Sequence, residues 1–177
     1  MELSTAIKLI ENGVSNAGDA QSWLDLGAGS GLFTRALAST LPSGSVVTAI
    51  DKSSSYSLTQ SDHKGTTRIE TRLADFTKID LKDLNVHGIL MANSLHYVKD
   101  QQGFLKKVLD SLMPGGRLII VEYDTDRGNA WVPYPLSFSS LTNLLIKTSA
   151  GIATRLGTTP SQFQRGGIYS VLIWPAR

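Results

Sequence analysis

The residues best suited to chemistry in this chain are the glycines and the carboxylate of WLDLGAGSG, Trp23 to Gly31. Gly27, Gly29 and Gly31 follow a short apolar run and precede an amphipathic segment, and Asp25 lies two places ahead of the first glycine. Glycines in a strand-to-helix turn let the backbone approach a ligand and leave amide groups at the helix start free to donate hydrogen bonds. The turn therefore predicts a binding site for a nucleotide-like cofactor.

The spacing of these glycines discriminates between two kinds of cofactor. A dinucleotide fingerprint has its third glycine three residues after the second, and that position is Leu32 here. The chain also lacks a Tyr-x-x-x-Lys pair. An NAD-dependent oxidoreductase is therefore an alternative that the sequence disfavours.

Carboxylates also follow the next two apolar runs. Asp51 ends SVVTAI, where it could accept both hydroxyl groups of a ribose; the alternative is a helix N-cap before Lys52. Asp75 ends a third run, where it could meet the exocyclic amine of an adenine while Phe76 covers the ring face. For Asp75 the alternative is a loop cap.

Strands and helices must position these residues, and the chain alternates between apolar runs and helical segments. The apolar runs predict seven strands: SWLDL, SVVTAI, Thr67 to Leu73, VHGILMA, RLIIVEY, GIATRL and IYSVLIW. The predicted helices are a leading helix in residues 1–20, LFTRALAST, a helix within Ser54 to Lys64, one capped by Asp100 and one started by Ser137. The alternation implies a mainly parallel sheet covered on both faces, with ligands at the carboxyl ends of the strands.

The later elements carry further predictions. The helix after Asp100 has an apolar face made of Phe104, Leu105, Val108, Leu109 and Leu112, and the sequence predicts that it ends in a turn from Met113 to Gly116. A loop from Gly157 to Gly167 is expected between the last two strands. The long loop from Asp124 to Pro135 contains Trp131, Pro133 and Tyr134. Its apolar rim suits an aromatic or acyl substrate, but would equally pack a helix or a second subunit.

Composition limits the classes of function. The 177 residues fit a single domain spanning 1–177, and the net charge of +2 is too small to argue for nucleic acid or a membrane surface. The chain has no cysteine, so disulfides, thiolate metal sites and thiol nucleophiles are excluded. His63, His87 and His96 lie far apart, and we predict no metal site. Without a signal-like N-terminus or a long apolar stretch, a cytoplasmic location is expected.

Taken together, these motifs resemble the class I S-adenosylmethionine-dependent methyltransferases of the small-molecule type, over nearly the whole chain. The matching positions are the first motif from Asp25 to Gly31, the ribose acid Asp51, the adenine acid Asp75 in LADF, the stretch Asn93-Ser94-Leu95-His96-Tyr97, and Pro114-Gly115-Gly116. The resemblance implies a Rossmann-like α/β three-layer sandwich. Its seven-stranded sheet is mostly parallel, with an antiparallel last strand.

The resemblance also assigns site residues. The implied S-adenosyl-L-methionine contacts are Asp25, Gly27, Ala28, Gly29, Gly31, Asp51, Lys52, Ala74, Asp75, Phe76, Asn93 and Ser94. Methyl transfer needs alignment more than acid or base chemistry, so His96 is either a general base or a residue that packs or orients the substrate. Tyr97 either lines the methyl channel or anchors its loop.

The implied activity is methyl transfer to a small molecule. Glu122, Tyr123 and Asp124 could touch that acceptor, and the resemblance brings Phe163 and Arg165 towards the same side. Asn93-Ser94-Leu95-His96 replaces the Asn/Asp-Pro-Pro-Tyr motif of amino-methylating nucleic-acid enzymes, so nucleic acid is not expected as a partner. A membrane is not expected as a partner either, and the sequence is compatible with a homodimer. A catalytically silent cofactor-binding domain is the alternative from another class.

Overall fold

The computed structural model describes residues 1–14, 18–53, 66–82, 84–161 and 166–176. The strands are β1 Ser22–Leu26, β2 Val46–Asp51, β3 Arg68–Leu73, β4 Val86–Ala92, β5 Leu112–Tyr123, β6 Gly151–Thr159 and β7 Ile168–Pro175. The helices are α1 Leu3–Ile10, α2 Leu32–Thr40, α3 Gln101–Asp110 and α4 Phe138–Thr148. The helix predicted within Ser54 to Lys64 lies outside the described residues, as do Phe163 and Arg165.

All seven strands form one sheet in the order β3-β2-β1-β4-β5-β7-β6. Neighbouring strands from β3 to β5 pair in parallel, whereas β7 is antiparallel to both β5 and β6. The predicted fold class, including its antiparallel last strand, is therefore confirmed. β1 and β4 are neighbours in the sheet although they are distant in sequence. Successive strands are added on one side of β1 up to β3 and on its other side from β4, and such a switch point opens a crevice at the carboxyl ends of the strands.

Two apolar layers enclose the sheet. Side chains of β4 alternate between them: Ile89 packs with α3 and α4, and Leu90 packs with α1 and α2. Both are fully buried, which agrees with the near-continuous apolar composition of central parallel strands. In contrast, the edge strand β3 is mostly exposed. Within the described ranges, no helix is both long and apolar enough to span a membrane.

Helix ends follow local side-chain chemistry. The Asp100 carboxylate accepts a hydrogen bond from the Gly103 amide (3.0 Å) and so caps α3, as predicted. Ser137 likewise caps α4 by accepting from the Ser140 amide at 3.2 Å. Both caps lie near the carboxyl edge of the sheet, where they fix the helices that flank it.

Two predicted boundaries were wrong. Helix α3 ends at Asp110, so Leu112 is the first residue of β5 and not part of the apolar face of that helix. The segment from Met113 to Gly116 is not a turn after a helix but an irregular bulge inside β5, between the pairs Val86–Leu112 and Gly88–Arg117. Within the bulge Gly115 adopts a φ of 81°. After it, β5 pairs with β4 again from Arg117 onwards.

The loop expected from Gly157 also begins later. β6 continues to Thr159, and Gly157 pairs with Ser170 after a register shift at Arg155. A glycine inside a strand is consistent with such a bulge. The two β-branched residues that follow, Thr158 and Thr159, extend the pairing with β7.

Candidate active site

The glycine turn after β1 is held against β2 by main-chain hydrogen bonds. The amides of Gly27 and Ala28 both donate to the Ile50 carbonyl, at 2.8 and 3.1 Å. Gly27 has a φ of 83°, and a Cβ atom there would lie 2.5 Å from the Cβ of Ser94. Glycine is therefore required both by the backbone conformation and by the close approach of β4.

The rest of the turn is open. Gly29 has a φ of 53°, and a Cβ atom there would meet nothing within 4 Å. Gly31, with a φ of 75°, precedes the first residue of α2, and its amide donates to the Ala28 carbonyl at 2.8 Å. This geometry exposes the turn and the start of α2 to a cavity.

This cavity, which we call the glycine-turn cavity, has a volume of ≈ 580 Å³. Its walls contain these residues named from the sequence: Asp25, Gly27, Ala28, Gly29, Asp51, Lys52, Asp75, Phe76, Asn93, Ser94 and Tyr97. Gly31 and Ala74, also named from the sequence, are not among the lining residues. The Ala74 amide donates to the Asp51 carbonyl at 2.8 Å. The structure thus brings the ends of four strands around one volume.

Asp25 is fully buried at the back of this cavity. Its Oδ2 accepts a hydrogen bond from the Thr34 hydroxyl of α2 at 2.6 Å, while its Oδ1 is buried without a hydrogen-bond partner among the described residues. Burial raises the pKa of Asp25 to about 7, partly opposed by the Thr34 bond and assisted by the charge of Asp51. A buried oxygen of this kind favours a donor or a cation from a ligand.

Asn93 presents a second buried oxygen at the end of β4. Its backbone has a φ of 52°, and its amide donates to the Val121 carbonyl of β5 at 2.8 Å. Within the described part of the chain its Oδ1 has no partner. The next residue, Ser94, donates through its hydroxyl to the Leu26 carbonyl at 2.6 Å and so ties β4 to the end of β1.

The two other acids are held by their own loops. Asp51 accepts from the Gly29 amide through Oδ2 and from the Ser53 amide through Oδ1, both at 2.8 Å. It therefore stabilises the loop while also lining the cavity. The alternative of a helix N-cap before Lys52 was wrong, because Asp51 is the last residue of β2 and neither Lys52 nor Ser53 is helical. Asp75 accepts from the hydroxyl and amide of Thr77 at 2.6 and 3.0 Å; the Thr77 hydroxyl is the main cause that lowers the pKa of Asp75.

Aromatic and cationic groups complete this side. Phe76 is buried and meets the Phe104 ring edge-on, with centroids 5.7 Å apart. The Lys52 ammonium lies 5.9 Å from the centre of the Tyr97 ring. Phe76, Lys52 and Tyr97 all line the cavity, and of these Tyr97 is an exposed aromatic side chain.

A second cavity of ≈ 390 Å³, which we call the aromatic cavity, adjoins the first. Its lining residues are Asn93, His96, Tyr97, Tyr123, Asn129, Trp131 and Val132. Asn93 and Tyr97 line both volumes. His96, named from the sequence beside Tyr97, faces only this second cavity.

His96 is held by Glu122, a residue at the end of β5. The imidazole Nδ1 lies 2.9 Å from Oε2 and 3.0 Å from Oε1 of that carboxylate, and the His96 amide donates to Oε1 at 3.2 Å. Glu122 is fully enclosed and does not line the cavity, so it is not placed for the substrate contact predicted from sequence. Tyr123 does line the cavity, and burial, the Glu122 charge and Tyr97 all raise the pKa of its hydroxyl.

Some residues of the site were not singled out from the sequence. Thr34 orients Asp25, and Leu32, Phe33, Thr77 and Met1 line the glycine-turn cavity. Leu32 and Phe33 directly follow the glycine turn, so their position in the first helical turn could have identified them. The described residues contain no group of three or more histidine, aspartate or glutamate side chains suited to a metal ion.

Comparison with known proteins gives a consistent relationship. A family model described as a methyltransferase domain matches residues 24–120, more than half of the chain. Demethylmenaquinone methyltransferase from Tropheryma whipplei is 36% identical over 105 residues, which are 59% of this chain and 42% of that protein. The match thus spans less than half the length of this curated relative.

Solved structures share the fold. DhpI, in a structure of its complex with SAH, aligns with a TM-score of 0.70 and 22% identity, covering 98% of this chain and 85% of the other. The 1,6-didemethyltoxoflavin-N1-methyltransferase of Burkholderia thailandensis aligns with a TM-score of 0.62 and 18% identity, covering 97% and 76%. At these identities the likeness establishes the common architecture.

Proposed function

This chain belongs to the methyltransferase domain family, a family that uses S-adenosylmethionine, and we propose that it transfers the methyl group of that cofactor to a small-molecule acceptor. One observation carries the proposal. Two buried oxygens that have no partner among the described residues, Asp25 Oδ1 and Asn93 Oδ1, belong to side chains that line the same cavity as the glycine turn. A cofactor with an ammonium group and a ribose would supply hydrogen-bond donors for these two oxygens and for Asp51.

The residues of the glycine-turn cavity fit the chemical parts of the cofactor. The ammonium group would lie beside Asp25 and Asn93, which line the cavity, and a rotation of these side chains would bring their enclosed oxygens within hydrogen-bonding distance of it. Asp51 keeps unused acceptor capacity on both oxygens after its bonds to Gly29 and Ser53, and it would accept from the ribose hydroxyls. Phe76 and Asp75 would meet the adenine. A Cβ atom on Gly27 would close the approach that these contacts require.

When bound, S-adenosylmethionine supplies a methyl group on a sulfonium, which is a good leaving group. The protein's own contribution is then mainly alignment and the exclusion of water. Tyr97, which lines both cavities, would limit the passage between them. We propose His96 as the residue that accepts a proton from the acceptor, because the Glu122 carboxylate at Nδ1 leaves Nε2 as the accepting nitrogen.

The relatives support a small acceptor. The curated relative is named for demethylmenaquinone and one structural neighbour for 1,6-didemethyltoxoflavin. We further propose that the chain acts as a single domain over residues 1–177, in the cytoplasm, as a monomer or homodimer. The small net charge of +2 supports our view that nucleic acid is not its partner.

Calorimetry with S-adenosylhomocysteine and with NAD tests the cofactor assignment. We expect micromolar binding of the first and none of the second; the reverse result would overturn the proposal. Transfer of labelled methyl groups into fractionated cell extract then tests the activity. Tight binding with no transfer to any component would instead favour the catalytically silent domain.

A further inference from the structure

The aromatic cavity opens beside the place where the glycine-turn cavity ends. The two volumes share Asn93 and Tyr97 in their walls. A molecule in the aromatic cavity would therefore meet one in the glycine-turn cavity at these two side chains. At ≈ 390 Å³ the aromatic cavity lies within the range of small-molecule sites.

The composition of the walls selects for a flat, uncharged ligand. The rings of His96, Tyr97, Tyr123 and Trp131 contribute to the walls. No lysine, arginine, aspartate or glutamate is among the described residues that line this cavity. Aromatic side chains bind flat ring systems by offset or edge-to-face contact, whereas a strongly charged ligand would lack a counter-charge here.

The loop that carries Trp131 is held at the rim of the cavity by main-chain amides that donate to its own Asn129 side chain. Trp131 is 83% exposed, an unusual exposure for a large apolar residue. The carboxamide oxygen of Asn129 accepts from the amides of Trp131 and Val132 at 2.8 and 3.0 Å. The Tyr134 amide donates to the His96 carbonyl at 3.0 Å, so the loop that carries Trp131 is fixed directly to the segment that carries His96.

His96 is oriented towards this cavity. It is only 3% exposed, and its Nδ1 is bonded to Glu122. The hydrogen bonds of the His96 ring to described residues are made through Nδ1. This leaves Nε2 available to a molecule in the cavity that His96 lines. A carboxylate at Nδ1 keeps the proton there, makes Nε2 the basic nitrogen and stabilises the imidazolium that forms when Nε2 accepts a proton.

We propose that the aromatic cavity is the acceptor site and that it takes a planar aromatic hydroxyl compound, a phenol or a conjugated enol, an inference that rests on the proposed function. The hydroxyl proton passes to His96 Nε2, and the electron pair on oxygen forms the new bond to the methyl carbon. The methyl–sulfur bond breaks with its electrons on sulfur, which leaves S-adenosylhomocysteine. Glu122 is a positioning residue for His96.

The test uses 4-nitrophenol, whose ionised form is yellow, with protein saturated with S-adenosylhomocysteine. Absorbance against pH reports the ionisation of the bound phenol, and calorimetry reports its affinity in the wild type and in every variant. In wild-type protein the yellow form should appear about one pH unit below its midpoint in free solution, because the imidazolium favours the phenolate. The other titratable groups near His96 and Glu122 are Tyr97, Tyr123, Tyr169 and Lys52.

Four variants separate the roles. H96Q should abolish the pH shift, and E122Q should return the midpoint part of the way towards its value in free solution while 4-nitrophenol still binds. W131A should weaken binding about tenfold, and because Trp131 is exposed, this variant does not threaten the fold. H87Q is the matched control: His87 lies at the other end of the sheet, where its Nδ1 accepts from the Ser22 amide at 3.0 Å, and both readouts should stay unchanged.

The outcomes distinguish this inference from the proposed function. Binding of S-adenosylhomocysteine without saturable binding of 4-nitrophenol would overturn the inference alone. So would an unchanged pH shift in H96Q or an unchanged affinity in W131A. Failure to bind S-adenosylhomocysteine, measured separately by calorimetry, would overturn the proposed function and this inference with it.

Discussion

Each of the two cavities has an enclosed carboxylate behind it, but the two carboxylates are satisfied to different degrees. Asp25, behind the glycine-turn cavity, has one oxygen bonded to Thr34 and one without a described partner. Glu122, behind the aromatic cavity, has both oxygens bonded, to the His96 ring and to the amides of His96 and Tyr123. Asp25 therefore retains an oxygen that a ligand could use, whereas both oxygens of Glu122 are bonded within the protein and orient His96, which lines the aromatic cavity.

This difference teaches how the two halves of the site are built. The glycine-turn cavity is shaped mainly by the backbone, through the positive φ angles of its glycines and the amides bonded to the Ile50 carbonyl. Acidic side chains at the strand ends complete it. The aromatic cavity is shaped by side chains on the loop after β5 and by the short 3-10 helix Leu95–Tyr97. Variants should therefore divide into those that affect the cofactor and those that affect the acceptor.

The largest effect is expected at Gly27. In Gly27→Ala the new Cβ would lie 2.5 Å from the Cβ of Ser94 and 3.2 Å from the Phe76 ring, at a φ of 83°. Because neither neighbour is the free end of a flexible chain, the turn must move, and we expect S-adenosylhomocysteine to bind at least a hundredfold more weakly by calorimetry.

Gly115→Ala is the matched control for Gly27. It imposes the same backbone penalty at a φ of 81°, but its Cβ would meet nothing within 4 Å, and Gly115 lies in the bulge of β5. It should lower the unfolding free energy by about 1 kcal/mol and leave cofactor affinity unchanged. Equal affinity losses in the two variants would show that general destabilisation, and not the closeness of Ser94 to Gly27, lowers the cofactor affinity.

Asp51→Ala should have the next largest effect. If the acid accepts from the ribose hydroxyls, its loss should weaken S-adenosylhomocysteine binding roughly ten- to a hundredfold. The variant also removes the bonds from the Gly29 and Ser53 amides. Asp51→Asn keeps an acceptor for one of them and should bind more tightly than Asp51→Ala. Unchanged affinity in both would mean that Asp51 is only a loop cap.

Asp25 makes the free protein sensitive to pH. Its pKa is about 7 in the folded state, against an ordinary value of 3.8 for an aspartate, so between these two pH values the folded protein binds a proton that the unfolded chain does not. The contribution of Asp25 to the unfolding free energy therefore falls as the pH rises from about 4 to about 7, by roughly 2–4 kcal/mol. Denaturant unfolding across this range should show the decline in wild type and a flatter profile in Asp25→Asn.

The same carboxyl should couple proton release to cofactor binding. An ammonium group beside Oδ1 favours the ionised acid, so S-adenosylhomocysteine should bind about tenfold more tightly at pH 8 than at pH 6. Asp25→Asn should remove this dependence, whereas H87Q, remote from the cavity, should retain it. A pH-independent affinity in wild type would contradict a direct contact between Asp25 and the ligand.

Sequence reasoning succeeded where the backbone itself carries the signal. The glycine spacing and the acids at Asp51 and Asp75 predicted which strand ends meet in one cavity, because parallel strands present their carboxyl ends at one edge. It did not predict that His96 and Glu122 bond, since that pair joins the 3-10 helix after β4 to the end of β5 through the side-chain geometry of a buried site. Nor did it find the bulge at Gly115, because proline and glycine after a helix are equally typical of a turn.

The smallest effect tests whether the two halves of the site are separable. Gln101 Nε2 donates to the Tyr134 carbonyl at 2.6 Å and to the Leu95 carbonyl at 3.3 Å, which links the loop that bears Trp131 to the segment that bears His96. Gln101→Ala should therefore loosen the aromatic cavity alone. We expect 4-nitrophenol to bind about threefold more weakly and the unfolding free energy to fall by about 1 kcal/mol, with S-adenosylhomocysteine affinity unchanged. The neighbouring variant Gln102→Ala, at an exposed position of α3, should change neither affinity. An equal loss of both affinities in Gln101→Ala would mean that the cavities behave as one unit and that the division between backbone-shaped and side-chain-shaped halves does not hold.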